Sequence, residues 1–155
     1  MTAPGEYIAG DVLQASDMNP LPAGIIARVS SQTSVLINTT ETITLTTPSF
    51  TAVAGRLYRI TYHEPANSVP AGAGNYCLAR IRYTNTSGIV IVQGQRQESG
   101  STQVANTLGL TTITELSAGS IVLVATTQMN TANAWLYRSG QGIGASLEVE
   151  DVGLA

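Results

Sequence analysis

Residues 57–63 have the sequence Leu-Tyr-Arg-Ile-Thr-Tyr-His, in which large apolar side chains alternate with polar ones. Successive side chains of an extended strand point to opposite faces of a sheet. Tyr58, Ile60 and Tyr62 would therefore share one face, and the polar residues between them would share the other. This alternation predicts a strand that buries one face and exposes the other to water.

Similar short runs of β-branched and apolar residues recur from Gly24 onward, separated by turn residues. No stretch shows the 3.6-residue periodicity of an amphipathic helix over ten or more residues. The predicted strands are Ile25–Ser30, Ser34–Asn38, Thr42–Thr46, Phe50–Val53, Leu57–His63, Tyr76–Tyr83, Ile89–Gln97, Gln103–Glu115, Ile121–Gln128, Ala134–Arg138 and Ala145–Val152. The pattern favours an all-β fold, an antiparallel jelly-roll-like β-sandwich of about 8–10 strands.

Three details refine this prediction. The continuously apolar run 121–125 predicts a central strand that is covered on both faces, or a strand that lies at a subunit interface. The single cysteine, Cys77, excludes an internal disulfide and is expected to face inward as a small apolar residue. Residues 64–75 are rich in Pro, Gly, Ala and Asn and are expected to form a long loop, a candidate contact loop.

The first 23 residues are expected to form an N-terminal arm rather than part of the sandwich, which would span residues 24–155. Pro20 and Pro22 stop any helical turn begun before them, because proline lacks the amide hydrogen. The apolar side chains of the arm are too few to fold alone and need another surface to cover them. These candidate contact residues are Tyr7, Ile8, Val12, Leu13 and Met18.

Composition excludes several classes of function. The chain has 155 residues, about one domain, and its net charge of −3 without a basic cluster argues against nucleic-acid binding. No apolar run is long enough to cross a membrane, and no export signal is expected. All seven basic residues are arginines, which suit protein interfaces, although a GC-rich genome would also favour arginine codons.

The residue types needed for catalysis are scarce. One histidine, His63, and one cysteine cannot build a multi-ligand metal site within one subunit, and no Gly-x-Ser-x-Gly motif accompanies the serines. Glu148, Glu150 and Asp151 form an acidic group that is expected to lie on a solvated strand face. We therefore expect neither an enzyme nor a bound cofactor.

Two further residues are candidates for contacts between subunits. Trp135, the only tryptophan, is the best candidate for an interface anchor. His63 is expected at a strand end, where it is a candidate for a contact with Glu64 across a symmetry axis.

Residues 9–19 (Ala-Gly-Asp-Val-Leu-Gln-Ala-Ser-Asp-Met-Asn), followed by Pro-Leu-Pro-Ala-Gly at 20–24, resemble the opening segment of small virion proteins of tailed bacteriophages. Residues 54–60 and 147–153 fit the same kind of protein. The resemblance implies a short arm, a β-sandwich head and a location in the virion. It leaves two functions open: a capsid decoration protein that binds the shell as an oligomer, here a homotrimer, or a tail-fibre or minor tail protein that binds host-surface glycans.

Overall fold

The computed structural model describes residues 21–69, 74–97, 104–131, 134–136, 138 and 144–155, with the backbone alone for residues 66–69, 104–106 and 134–135. Within these residues the chain forms twelve β-strands and no helix, which confirms the predicted all-β class. The strands are β1 (Gly24–Ser31), β2 (Val35–Ile37), β3 (Thr42–Thr46), β4 (Phe50–Ala52), β5 (Arg56–Val69), β6 (Tyr76–Tyr83), β7 (Val90–Gln97), β8 (Val104–Glu115), β9 (Gly119–Ile121), β10 (Leu123–Met129), β11 (Ala134–Leu136) and β12 (Ala145–Leu154).

Eight of these strands make two antiparallel sheets that enclose the core. The first sheet has the order β1-β12-β5-β8 and the second the order β3-β10-β6-β7. β11 pairs with the last part of β5 and with β2, which extends the first sheet, and β4 pairs with β9. The described part of the chain holds no helix long and apolar enough to cross a membrane.

The pairing of the strands is nested along the chain. β6 pairs with β7, β5 with β8, β3 with β10, and β1 with β12. The chain is therefore one long antiparallel hairpin with its turn between β6 and β7. Successive strand pairs of this hairpin belong alternately to the two sheets. This is the connectivity of a jelly roll, so the predicted jelly-roll sandwich is confirmed.

The core lies between the two sheets and follows the predicted alternation. Tyr58, Ile60 and Tyr62 of β5 are at most 1% exposed. Cys77 of β6 is completely buried among them, as predicted. The predicted central strand is also confirmed, since β10 lies between β3 and β6 and its residues 123–127 are all buried, although the strand begins at Leu123 rather than at residue 121.

The predicted loop over residues 64–75 is wrong in its first half, because β5 continues to Val69. The register of β5 against β8 shifts between Glu64 and Asn67, which leaves Pro65 in a β-bulge. A proline is tolerated in a bulge because no ladder hydrogen bond is required of it there. The proline that suggested a loop therefore marks an irregularity within a long strand, and His63 lies within that strand rather than at its end.

Burial of the inward face should dominate stability. We expect Ile60→Ala to lower the free energy of unfolding by about 2–5 kcal/mol, because Ile60 is fully buried and its removal leaves a cavity. The matched control is Ile113→Ala on β8, the strand next to β5, where Ile113 is 54% exposed and the expected cost is within about 0.5 kcal/mol. Urea denaturation of both variants measures the difference, and equal costs would contradict the assigned faces.

Candidate functional site

The outer face of the first sheet carries His63, one of the predicted contact residues. The register of the four strands places its side chains in three cross-strand rows. The rows, from β1 through β12 and β5 to β8, are Ile25-Glu150-Arg59-Ile113, Arg28-Glu148-Thr61-Thr111 and Ser30-Ser146-His63-Gly109. Polar and apolar side chains therefore form rows across an open sheet surface.

Two ion pairs on this outer face neutralise its charges. Arg28 Nε lies 3.1 Å from Glu148 Oε1, and Arg59 Nη1 lies 3.0 Å from Glu150 Oε2. Both pairs are exposed to solvent, so each contributes only about 0–1 kcal/mol to stability. Their effect is on the surface itself, which presents paired charges and hydroxyl groups with no net charge from these four residues.

A shallow groove of about 500 Å³ opens at the His63 end of the outer face. It is lined by Arg28, Ser30, Ser31, Gln32, His63, Gly144 and Ser146. A Cβ at Gly144 would lie 2.9 Å from the backbone oxygen of Ser31, so the close approach of the two strand ends here requires glycine. Hydroxyl, amide, imidazole and guanidinium groups offer hydrogen bonds to a hydroxyl-rich or backbone ligand.

At the opposite end of the sheet, a buried ion pair fixes the point where residue 21 joins the sandwich. Arg56 at the start of β5 donates to both carboxylate oxygens of Asp151, at 2.6 and 2.8 Å. Its Nη2 also donates to the backbone oxygen of Leu21 at 2.6 Å. We call the region formed by Leu21, Val53, Arg56 and Leu154 the root end.

The chemistry of Asp151 corrects the prediction of a wholly solvated acidic group. Its side chain follows the inward alternation of Leu147 and Val149 and is only 7% exposed. Burial raises the pKa of the Asp151 carboxyl, but hydrogen bonds from Arg56 and from the Gly153 amide outweigh burial and hold the pKa below its ordinary value. Asp151 is therefore a charged partner inside the fold, whereas Glu148 and Glu150 face outward as expected.

A second buried pair, Glu64 with Arg138, was not anticipated. Arg138 Nη2 donates to Glu64 Oε2 at 2.7 Å and its Nε donates to Glu64 Oε1 at 3.0 Å, with both side chains at most 1% exposed. Tyr62 donates its hydroxyl to Glu64 at 2.9 Å. Burial and the neighbouring Glu64 charge raise the pKa of Tyr62 far above its ordinary value, so the hydroxyl keeps the proton that it donates.

The sequence did contain a signal for this pair. Glu64 continues the inward alternation of Tyr58, Ile60 and Tyr62, and a carboxylate at an inward position needs a buried partner. Glu64 is not available for the predicted contact with His63 between subunits, because its side chain points into the sandwich and the His63 side chain points out.

The second sheet carries a third charged cluster on its outer side. Glu41 accepts hydrogen bonds from Arg82 Nε at 2.7 Å and from the Thr126 hydroxyl, and Arg80 Nη1 lies 2.9 Å from its Oε2. Burial raises the pKa of Glu41, but these hydrogen bonds and the two arginine charges outweigh burial and lower the pKa below its ordinary value. The cluster ties the residues before β3 to β6 and β10.

The other predicted contact residues are placed only in part. Tyr7, Ile8, Val12, Leu13 and Met18 lie outside the described residues. The backbone of Trp135 lies in β11, paired with Leu36 and Ser68, while its side chain is outside the described set. Within the described residues, no group of three or more His, Cys, Asp or Glu side chains could hold a metal ion.

Comparisons with known proteins place the fold. No protein-family model and no curated sequence matches the chain. Among solved structures, it is similar to Eiger TNF from S. frugiperda, with a TM-score of 0.52, 9% identity and coverage of 85% of this chain and 95% of that chain. A chain from infectious bursal disease virus Gt strain gives a TM-score of 0.45 at 10% identity, covering 99% of this chain and 43% of that chain.

The CBM22-1 xylan-binding domain from Paenibacillus barcinonensis Xyn10C covers 83% of this chain and 87% of its own length, with a TM-score of 0.35 and 14% identity. The similarity to Eiger TNF, at 9% identity, supports a shared β-sandwich fold and nothing further. The viral and xylan-binding similarities are too distant in structure to carry a functional argument.

The buried Glu64–Arg138 pair should behave as a coupled unit. We expect Arg138→Met to lower the free energy of unfolding by about 3–5 kcal/mol, because Glu64 keeps a buried charge without its partner. The double variant Glu64→Leu with Arg138→Met should cost clearly less than the sum of the two single changes. Arg28→Met, at the exposed pair, is the control with an expected cost below about 1 kcal/mol. Additive costs at 64 and 138 would contradict the coupling.

Acid should destabilise the protein through Asp151 and Glu41. Because the folded state lowers both pKa values, the stability from these carboxyls is complete above their ordinary values of 3.8 and 4.5. It is lost as the pH falls through the lower pKa values of the folded state. Asp151→Asn should reduce stability near neutral pH and flatten this acid decline, measured by denaturation across pH. Glu150→Gln, at an exposed pair, is the control and should cost less than about 1 kcal/mol near neutral pH.

Proposed function

We propose that the chain is a structural protein of a bacteriophage virion, a capsid decoration protein that binds the shell as a homotrimer. The sequence resemblance of residues 9–24 to small phage virion proteins suggests the location. The jelly-roll sandwich suits a rigid surface module of about one domain. No catalytic role is assigned to the chain, and its partners are further copies of itself and the shell.

One structural observation carries this proposal. The backbone of Leu21, where residues 1–20 join the sandwich, accepts a hydrogen bond from Arg56, and Arg56 is held by both oxygens of Asp151. An arm that starts at a fixed point transmits its binding to the whole domain instead of acting as a loose tether. Its apolar residues would supply contact area, and its rigid root would limit the entropy lost on attachment.

Oligomerisation would multiply a weak contact. In a closed cyclic trimer each subunit presents the same arm and the same face, so the second and third attachments become intramolecular. The two rows of this outer face that lie away from the root end fit a contact between subunits, because the Arg28–Glu148 pair is neutral and the other side chains there are hydroxyls or the His63 imidazole.

A second function, a tail-fibre or minor tail protein that binds host-surface glycans, is favoured by the groove beside His63. The groove is lined by hydroxyl, amide and imidazole groups, which suit the hydroxyl groups of a sugar. In this case the groove would bind the host, and residues 1–20 would attach the protein to the tail.

The copy number of the chain in purified virions distinguishes these functions. Quantitative mass spectrometry against the major capsid protein should give hundreds of copies for a decoration protein. A few to some tens of copies would support the tail protein instead. Absence from the particles would contradict both.

Deletion of residues 2–20 tests the arm. We expect the shortened protein to keep its thermal midpoint, because the described core and the Arg56–Asp151 pair lie beyond the deletion, and to lose attachment to particles. A variant with residues 2–20 replaced by a Gly-Ser segment of equal length is the control for length. Unfolding of either variant, or unchanged attachment, would contradict the role given to the arm.

A further inference from the structure

The exposed large apolar side chains are unevenly distributed over the sandwich. The described residues contain eight of them, and six lie at the root end or in the first row beside it. These six are Leu21, Ile25, Val53, Ile89, Ile113 and Leu154, with exposures between 48% and 76%. The two others, Leu36 and Ile43, lie away from this end on β2 and β3.

The hydrogen bonds and strand registers show that these residues lie toward the same end of the sandwich, the end that contains Arg56. The backbone oxygen of Leu21 accepts a hydrogen bond from Arg56, and Leu154 is the register partner of Arg56. Val53 lies three residues before Arg56 in the chain. Ile25 and Ile113 flank the Arg59–Glu150 pair on the adjoining row.

Ile89 lies on the same end in the second sheet. The backbone oxygen of Ile89 accepts a hydrogen bond from the backbone amide of Tyr83. Tyr83 is in turn the register partner of Leu123, the first residue of β10. β8 ends at the root end, because its last residue, Glu115, pairs with Leu57. Only three residues separate β8 from β9, and β10 begins directly after β9, so the start of β10 lies toward the same end. The six side chains therefore belong to one end of the sandwich.

The excess negative charge of the chain lies in the first 20 residues and not in the sandwich. Residues 21–155 contain seven arginines and seven carboxylates, so the net charge of −3 comes from Glu6, Asp11 and Asp17 in the first 20 residues. At the root end itself Arg56 and Asp151 neutralise each other, and exposed Glu115, the register partner of Leu57, adds one carboxylate. An apolar end without excess positive charge is thus joined directly to an acidic segment that contains five apolar candidate contact residues.

We infer that the root end is the docking face of the protein and that its partner is a shell surface with an apolar patch bordered by basic groups. The apolar patch would cover the exposed side chains around Arg56, and the basic groups would pair with the carboxylates of residues 1–20. The inference rests on the proposed function and adds the orientation: the root end faces the particle, and the His63 groove at the opposite end faces away from it.

The location of residue 21 favours the particle over other occupants of this end. Any partner that binds residues 1–20 is brought next to the root end, because the segment starts there at a fixed hydrogen bond. Apolar burial and charge pairing also predict different effects of salt on the binding affinity, since salt screens the charge pairs and leaves the apolar contacts in place. Binding by the full chain should thus weaken with salt but not vanish.

The test uses the full chain and particles produced without it. The root-end variant carries Ile25→Ser, Val53→Ser and Leu154→Ser, and the matched control carries Leu36→Ser and Ile43→Ser at sites that are 41% and 39% exposed. We expect the root-end variant to bind particles roughly tenfold more weakly or worse, and the control to bind like the native chain. Thermal unfolding of both verifies the fold, and the three single variants replace the triple one should it unfold.

Each outcome decides the inference. Native binding by the root-end variant would overturn it while leaving the chain a virion protein. A root-end variant that loses self-association in sedimentation but still binds particles would also overturn it, because the occupant would be a second copy. If the native chain itself fails to bind, the proposed function fails with it. If only the root-end variant loses particle binding, and binding of the native chain weakens with salt without vanishing, the root end is supported as the docking face.

Discussion

β5 is held at its start and near its middle by buried arginine–carboxylate pairs, and the rest of the structure depends on this constraint. Arg56 at its start binds Asp151, and Glu64 eight residues later binds Arg138. Both partners come from the last part of the chain. Because a buried charge without a partner is costly, each pair favours the arrangement in which this last part of the chain lies beside β5. The nested pairing of the jelly roll is thereby fixed from its central strand outward.

The pairs also separate the two ends of the sandwich chemically. At the root end, Arg56 and Asp151 remove net charge and hold Leu21, so the surface around them is apolar. At the other end, Arg138 and Glu64 are withdrawn into the core, and the surface there is the polar groove beside His63. A jelly roll with unlike ends suits a protein that attaches by one end and presents the other.

The neutral outer face of the first sheet has a different physical character from both ends. Its ion pairs satisfy each other, and the two rows away from the root end otherwise carry hydroxyls, a glycine and the His63 imidazole, whereas Ile25 and Ile113 lie only in the row beside the root end. The two polar rows gain little from apolar burial, so any contact on them would depend on shape and hydrogen bonding. The surface able to supply apolar contact area lies at the root end, which is why orientation and attachment are linked in the proposed function.

The sequence by itself determined the all-β class, the inward positions of Tyr58, Ile60 and Tyr62, and the burial of Cys77, because a strand's alternation is local. It misjudged Pro65, since a bulge looks like a loop until the neighbouring strand is known. It predicted Glu64 in a contact between subunits and Asp151 on a solvated strand face, whereas both are buried in ion pairs. Their partners, Arg138 and Arg56, are far away in the chain, and nothing local states which carboxylate meets which arginine. Only the tertiary structure decided those pairs, and with them the apolar end at which Arg56 holds residue 21.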